Sequence, residues 1–179
     1  DILMATAKEE GYRFVYAKWL DDSKPTAEDP EMVRSRLVAT DVNTYAREDV
    51  SQCTPARKVH RMILSFAATK KTAGRHTRVV CRYDVSVAFF HAKLIVEIWV
   101  TPPKGLAKPG WGWALDKAMY GTREAAQAWG QFVTVVFIDA GFELVVVVAM
   151  TFYHPVRDIS VTVHGDDFLG EAEPLQLDW

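Results

Sequence analysis

The sequence predicts an α+β fold in which an antiparallel sheet carries helices on one face. Two segments repeat apolar residues at helical spacing, and several short segments alternate or run apolar between turn residues, as strands do. The elements follow one another as a strand pair, a helix, strands, a second helix and a hairpin. This order favours α+β over the regular strand–helix alternation of α/β proteins.

The composition argues against a disordered chain and against a membrane-spanning helix. Hydrophobic residues make up 49% and charged residues 25% of the 179-residue chain, as in ordinary globular proteins. The apolar run Leu144–Met150 is far shorter than the roughly 20 residues of a membrane-spanning helix. Two cysteines, Cys53 and Cys81, cannot form a disulfide framework, so a reducing intracellular compartment is expected.

The N-terminal part begins with two predicted strands. Residues Tyr12–Trp19 alternate in the manner of a strand, and Val33–Thr40 is expected to pair back on it. Asp21–Pro30 between them is rich in turn residues and predicts a loop. Arg34 and Arg36 lie two positions apart, so both guanidinium groups should project from one face of the second strand.

A helix is predicted from Pro55, with Thr54 as its N-cap. Lys70, Lys71 and Gly74 are typical of its C-terminal end. The apolar stripe at helical spacing comprises Val59, Met62, Ile63, Phe66 and Ala67.

The next segments predict two strands, a loop and a second helix. Val79–Asp84 and Leu94–Val100 are the strands, and Thr101–Trp113, with three Pro and three Gly, is the loop. The helix is expected to start at Gly121 or Thr122 and to end at Gly141. Its buried stripe comprises Ala125, Trp129, Phe132, Val133, Val136, Phe137 and Ala140.

Three carboxylates stand at strand ends near the predicted hairpin. Phe152–His154 and Ile159–His164 are strand-like, and Gly165-Asp166-Asp167 predicts a tight turn, while Asp84 ends an apolar strand. Carboxylates about 4 Å apart repel by several kcal/mol at a protein surface unless cations neutralise them. Mg²⁺ takes such oxygen ligands, and a pair of ions can stabilise the attacking and leaving oxygens of a phosphoryl transfer. An Asp-Asp turn unrelated to Asp84 remains the alternative from spacing alone.

Charge is distributed unevenly along the chain. Residues 31–82 carry a net charge of +7 and residues 139–179 a net charge of −7, although the whole chain is at −2. A basic half fits a bound polyanion and an acidic half fits bound cations. A chance drift of solvated surface charge is the other interpretation.

Segments spread over about three quarters of the chain resemble, in order, the reverse transcriptases of copia-type retrotransposons. Arg34–Ala39 is similar to a fingers strand of that family, Asp84–Ala92 to its first catalytic motif, and Val163–Leu169 to its catalytic hairpin. Further segments that resemble the family are Thr54–Val59, Arg61–Ala68, Trp99–Gly105, Ala118–Trp129, Gly141-Phe142 and Phe152–His154.

The resemblance implies an RNA-directed DNA polymerase with fingers and palm. Fingers with the first long helix would cover residues 1–78 and the palm residues 79–179, while thumb, RNase H and integrase regions have no counterpart. Asp84, Asp166 and Asp167 would be the catalytic, metal-binding residues, with two Mg²⁺ or Mn²⁺ ions as cofactors. An RNA or DNA template with its primer and dNTPs would be the partners. The implied substrate-binding residues are Arg34, Arg36, Phe89, Tyr120, Gly121 and Glu124, with Phe89 against the deoxyribose and Arg36 as the more direct phosphate ligand.

Departures from the family pattern keep a second function open. The family commonly has Gln and Pro where this chain has Glu124 and Ala126. Glu124 would bring a negative charge near the triphosphate unless it turns towards Arg123 or the helix N-terminus. The start at Asp1 and the absent thumb suggest a fragment of a retrotransposon polyprotein, expected to be inactive by itself. The alternative is a non-catalytic relic that serves as a structural subunit of a larger assembly with other protein subunits.

Overall fold

The computed structural model describes residues 2–41, 54–69 and 78–176. These residues form helices and two sheets, which confirms the α+β class. They fold into two compact units, of which unit 1 draws on residues 1–50 and 89–128 and unit 2 on residues 51–88 and 129–179. Cys53 and the predicted helix-ending residues Lys70, Lys71 and Gly74 lie outside the described residues.

The strands and helices have the following bounds in chain order. The strands are β1 (Ile2–Leu3), β2 (Arg13–Ser23), β3 (Val33–Thr40), β4 (Val79–Asp84), β5 (Ile98–Thr101), β6 (Trp111–Ala114), β7 (Glu143–Leu144), β8 (Thr151–His154), β9 (Ile159–His164) and β10 (Asp167–Ala172). The α-helices are α1 (Met4–Glu9), α2 (Arg57–Thr69) and α3 (Ala125–Asp139), and Ala88–His91 and Pro174–Gln176 are short 3₁₀-helices.

Unit 1 contains a mixed sheet with the strand order β1-β6-β5-β2-β3. The β2–β5 pair is parallel and the other pairs are antiparallel. β2 continues to Ser23, into the predicted loop, because its last residues pair with the start of β3. β6 lies where the sequence predicted only loop, because β1 and β5 each supply hydrogen-bonding partners to its Gly-containing backbone. The buried core of unit 1 includes Val15, Ala17, Ala39, Ile98, Val100 and Met119.

Unit 2 contains an antiparallel sheet with the strand order β4-β10-β9-β8-β7. The bounds of β4 and β9 agree with the sequence prediction, and β9 and β10 form the predicted hairpin. Only Gly165 and Asp166 connect these two strands, since Asp167 is already the first residue of β10. A helix packs on each face of this sheet, whereas the sequence predicted helices on one face.

Ring contacts identify the two covered faces. His60 of α2 contacts His164 of β9, with 5.7 Å between ring centroids. Phe137 of α3 stacks on Phe152 and Phe168, which lie on the opposite face because neighbouring strand residues alternate. Of the predicted apolar stripe of α2, Val59 and Ile63 are buried, whereas Met62 and Phe66 are exposed.

Both predicted long helices exist, and both begin later than predicted. α2 begins at Arg57, so Thr54 is not its N-cap, and the backbone N–H of Val59 donates to the carbonyl of Ala56. α3 begins at Ala125 instead of Gly121 or Thr122, because the preceding residues bond to β3. No helix in the described part of the chain is both long and apolar enough to cross a membrane.

A buried ion cluster connects β4, β9 and β10 at the sheet end away from the hairpin. The side chain of Arg78 is fully buried and donates to Glu171, which is also fully buried, and to Asp158 at 2.8 Å. Burial by itself lowers the pKa of Arg78, but the hydrogen bond and charge of Glu171, with those of Asp158, raise it overall. Arg78 is therefore charged, and losing either acidic partner would leave a buried cation poorly compensated.

Candidate active site

Two of the predicted metal-binding aspartates are direct partners in the sheet of unit 2. Asp84 is the last residue of β4, Asp167 is the first residue of β10, and they occupy opposite positions in the antiparallel register. Such partners have Cα atoms about 4.5–5.5 Å apart and side chains on the same face. Since Asp166 precedes Asp167, the structure brings all three aspartates to one end of one sheet.

Hydrogen bonds fix the connection that carries Asp166. Gly165, the first residue of the two-residue turn, has a φ of 64°, the position that type II′ hairpins give to glycine. The backbone N–H of Val85 donates to the carbonyl of Asp166 at 3.0 Å, which ties the turn to the residue after Asp84. From α3, the indole Nε1 of Trp129 donates to the carbonyl of Gly165 at 2.7 Å.

Arg82 lies beside the aspartates as an internal cation. Its Nε and Nη2 donate to Oδ1 of Asp167 at 3.0 and 2.7 Å, so both bonds end on one carboxylate oxygen. The hydrogen bond to Asp167 is the main reason why the pKa of Arg82 is raised, and the charges of Asp167 and the other two aspartates raise it further. The Arg82 side chain is 71% exposed, so solvent screens this pair and competing cations can reach it.

The aspartates fit a hard divalent cation in donor type. Mg²⁺ usually takes one or two protein carboxylates and completes its shell with water and substrate phosphates. Asp84 and Asp167, side by side on one face, supply that number, and Arg82 demonstrates that the pair attracts a cation. Within residues 2–41, 54–69 and 78–176, no three His, Cys, Asp or Glu side chains form a group that could hold a metal ion. Substrate oxygens would therefore have to complete the shell.

The segment after Asp84 contains a strained residue. Val87 has a φ of 51°, which is rare for a β-branched side chain and costs of the order of 1–3 kcal/mol. Phe89 follows in the first 3₁₀-helix and packs edge-on against Tyr120, with 4.7 Å between ring centroids. The predicted substrate residues Phe89 and Tyr120 are thus in contact with each other within unit 1.

The two fingers arginines differ in their surroundings. Both belong to β3, where Arg34 is exposed and is the register partner of Asp22 on β2. Arg36 donates through Nη2 to the carboxylate of the same Asp22. The sequence favoured Arg36 as the phosphate ligand, but the structure gives that guanidinium an acidic partner.

The fold itself requires glycine at position 121. The backbone N–H of Ala39 donates to the carbonyl of Tyr120 at 2.7 Å, which brings this segment against β3. Gly121 has a φ of 88°, and a Cβ atom there would lie 1.9 Å from the carbonyl oxygen of Ala39. A side chain is therefore excluded at this position, whether or not a substrate binds there.

The carboxylate of Glu124 pairs with Arg13, a partner that the sequence did not indicate. Glu124 is 2% exposed, and its Oε1 accepts a hydrogen bond from Nη1 of Arg13 at 2.5 Å. Arg13 also donates to Asp41, whose carboxylate accepts the backbone N–H of Arg123 at 3.0 Å. Arg13 therefore compensates the charge that was expected to face the triphosphate.

Sequence reasoning missed three residues of these networks. The sequence placed Arg13 only in the first strand and Arg82 only in the basic segment. It placed Trp129 in a helical stripe and at the end of a family-like segment, without a hydrogen-bonding role. The spacing between Arg82 and Asp84 was the one local signal, because residues two apart share a strand face. The partners of Arg13 and Trp129 are distant in sequence and had no local signal.

One comparison with known proteins identifies a family. A family model described as reverse transcriptase (RNA-dependent DNA polymerase) matches residues 4–174. No curated protein and no solved structure matches the chain.

Proposed function

Since the chain belongs to the reverse transcriptase (RNA-dependent DNA polymerase) family, we propose that it is the polymerase domain of a copia-type retrotransposon polyprotein, transferring nucleotides to a primer 3′ end. The observation that carries this proposal is the register pairing of Asp84 with Asp167, with Asp166 on the adjoining turn. The partners of the proposed polymerase would be an RNA or DNA template with its primer and dNTPs. The reaction would take place in a reducing intracellular compartment. The proposed division remains fingers in residues 1–78 and palm in residues 79–179.

The carboxylates of Asp84 and Asp167, with that of Asp166 beside them, would hold two divalent cations, Mg²⁺ or Mn²⁺, together with phosphate oxygens of the substrate. Such cations would neutralise charge that develops on the transferring phosphoryl group. Phosphoryl transfer depends mainly on positioning and charge stabilisation, so the hydrogen-bonded turn and its register against β4 are the protein's contribution.

Other predicted substrate residues would act on the nucleotide. Phe89, held by Tyr120, would contact the deoxyribose and exclude a 2′-hydroxyl. Arg34 is the more available phosphate ligand of the two fingers arginines, because Arg36 is bonded to Asp22. Tyr120 and Gly121 would contribute backbone at the nucleotide site, and Glu124 would act indirectly through Arg13.

Two measurements test the proposal. Binding of Mn²⁺ to the chain, followed by electron paramagnetic resonance, should be lost or much weakened in Asp84→Asn and in Asp167→Asn. Asp139→Asn, at the exposed last residue of α3, is the matched control and should bind as the natural chain does. In a polypeptide that contains this chain and the downstream sequence, primer extension should require Mg²⁺ and disappear in the first two variants. Undiminished extension by Asp84→Asn would exclude the proposed site.

The bond between Arg82 and Asp167 favours one alternative, a non-catalytic subunit of a larger assembly. In that case the guanidinium takes the place of the metal, so the natural chain would bind no Mn²⁺ and binding would appear only in Arg82→Gln. In a polymerase, Arg82→Gln removes a competing cation, so the affinity for Mn²⁺ should rise, most at low ionic strength. Arg157→Gln is a matched control for the loss of one positive charge in unit 2.

A further inference from the structure

Both backbone carbonyls of the Gly165-Asp166 turn accept hydrogen bonds from donors that lie outside the hairpin. The ladder between β9 and β10 uses the residues that flank the turn, and leaves these two carbonyls to other donors. Val85 donates to the Asp166 carbonyl and Trp129 donates to the Gly165 carbonyl. One donor comes from the backbone next to Asp84, and the other is a side chain of α3.

The Trp129 indole is itself fixed by packing. The residue is 5% exposed, and its ring stacks on Phe132 at 5.7 Å and meets the edge of Phe168 at 6.3 Å. Phe168 directly follows Asp167 in β10. The same side chain therefore contacts the turn before the aspartate pair and the strand after it.

We propose that Trp129 is a positioning residue for the aspartate turn, through its indole N–H and not only through its ring. A two-residue turn whose first residue is glycine has a permissive backbone, and a rotation of the Gly165–Asp166 peptide would redirect the Asp166 side chain. The indole hydrogen bond to the Gly165 carbonyl removes that freedom, while the N–H of Val85 holds the Asp166 carbonyl. This proposal deepens the proposed function, because a fixed Asp166 matters most for binding a cation.

Two substitutions separate the hydrogen bond from the packing. Trp129→Phe keeps an aromatic ring against Phe132 and Phe168 but has no donor. Placing 3-benzothienylalanine at position 129 keeps the size of the indole and replaces its N–H by sulfur. Trp99→Phe is the matched control, since Trp99 is 8% exposed and its Nε1 has no hydrogen-bond partner among the described residues.

Two readouts are needed: Mn²⁺ affinity, by paramagnetic resonance, and the ¹⁵N order parameter of the Asp166 amide. Both position-129 variants should weaken Mn²⁺ binding about tenfold, as is usual when a partner that orients a metal ligand is removed. The order parameter should fall from about 0.85 to below about 0.6, and Trp99→Phe should change neither value. If Trp129→Phe fails to fold, the benzothienyl variant alone tests the indole N–H, because it keeps the size of the ring.

The outcomes distinguish this proposal from the function on which it rests. Unchanged Mn²⁺ affinity and an unchanged Asp166 order parameter in the benzothienyl variant would overturn the role of the indole N–H. A natural chain that binds no Mn²⁺, together with a turn that becomes mobile in the variants, would refute the polymerase proposal and uphold the positioning of the turn.

Discussion

Glu124→Gln distinguishes a charge that acts on the nucleotide from a charge that holds unit 1 together. The family pattern suggested that glutamine at this position would relieve repulsion of the triphosphate. In the structure the carboxylate is buried and bonded to Arg13, so the substitution removes one charge from a buried ion pair. We therefore expect Glu124→Gln to destabilise unit 1.

The size of the effect follows from what remains after the substitution. A hydrogen bond that involves a charged group contributes about 1.5–3 kcal/mol. The Arg13 side chain is 33% exposed and keeps its bond to Asp41, and glutamine can still accept a neutral hydrogen bond. We expect a loss of about 1–2 kcal/mol, which corresponds to a roughly 5- to 30-fold shift in the local opening equilibrium.

Hydrogen exchange of the β2 and β5 amides measures the stability of unit 1 directly. Exchange should accelerate by that factor in Glu124→Gln, and a cycle with Arg13→Gln should give a coupling energy of similar size. Asp22→Asn is the control, because its pair with Arg36 is exposed at 46% and 41% and should contribute less than about 1 kcal/mol. Unchanged exchange combined with tighter dNTP binding in Glu124→Gln would refute the Arg13 argument and restore the interpretation from the family pattern.

Three further predictions concern other positions. Gly121→Ala should cost about 3 kcal/mol or more in urea unfolding, since strain and a backbone clash add, whereas Gly105→Ala, with a φ of 89° but no atom within 4 Å, should cost about 1 kcal/mol. Glu171→Gln should lower the free energy of unfolding by about 3 kcal/mol because it leaves Arg78 charged and buried, and a neutral result would contradict this. Phe89→Ala, in an active polypeptide, should raise incorporation of ribonucleotides relative to dNTPs roughly tenfold in single-nucleotide extension assays, and unchanged sugar selectivity would point to another residue.

The elements that the sequence predicted well are those whose signal is local. β3, β4 and β9 have the predicted bounds, and each contains Val together with other β-branched, aromatic or apolar residues that favour strands. β6 was missed because its Trp-Gly-Trp sequence follows a Pro- and Gly-rich stretch, and only pairing with β1 and β5 makes it a strand. Strand formation at β6 depends on pairing with strands that are distant in sequence, which local composition cannot predict.

The candidate site likewise contains some residues that local sequence could predict and others that depend on distant partners. A strand-end Asp84 and a turn at Asp166 could be recognised locally, and an antiparallel sheet then needs only one register to bring them together. The partners of Glu124 could not be predicted, because Arg13 lies 111 residues away and a local candidate, Arg123, was available. In the structure Arg13 is the partner, because its strand β2 pairs with β3, which ends one residue before Asp41.

The opposite charges of the two sequence segments meet partly inside unit 2. Arg78 and Arg82, from the basic segment, are bonded to Glu171 and Asp167, from the acidic segment. Part of the asymmetry is therefore internal pairing and does not by itself indicate a bound polyanion or bound cations. The two pairs nevertheless differ in kind: the first is buried at one end of β10, while the second is exposed at the other end, where two more aspartates act on the same guanidinium. A buried pair holds strands together, whereas an exposed cation beside three carboxylates can be exchanged for another cation, and that difference supports the proposed cation site at the hairpin end of the sheet.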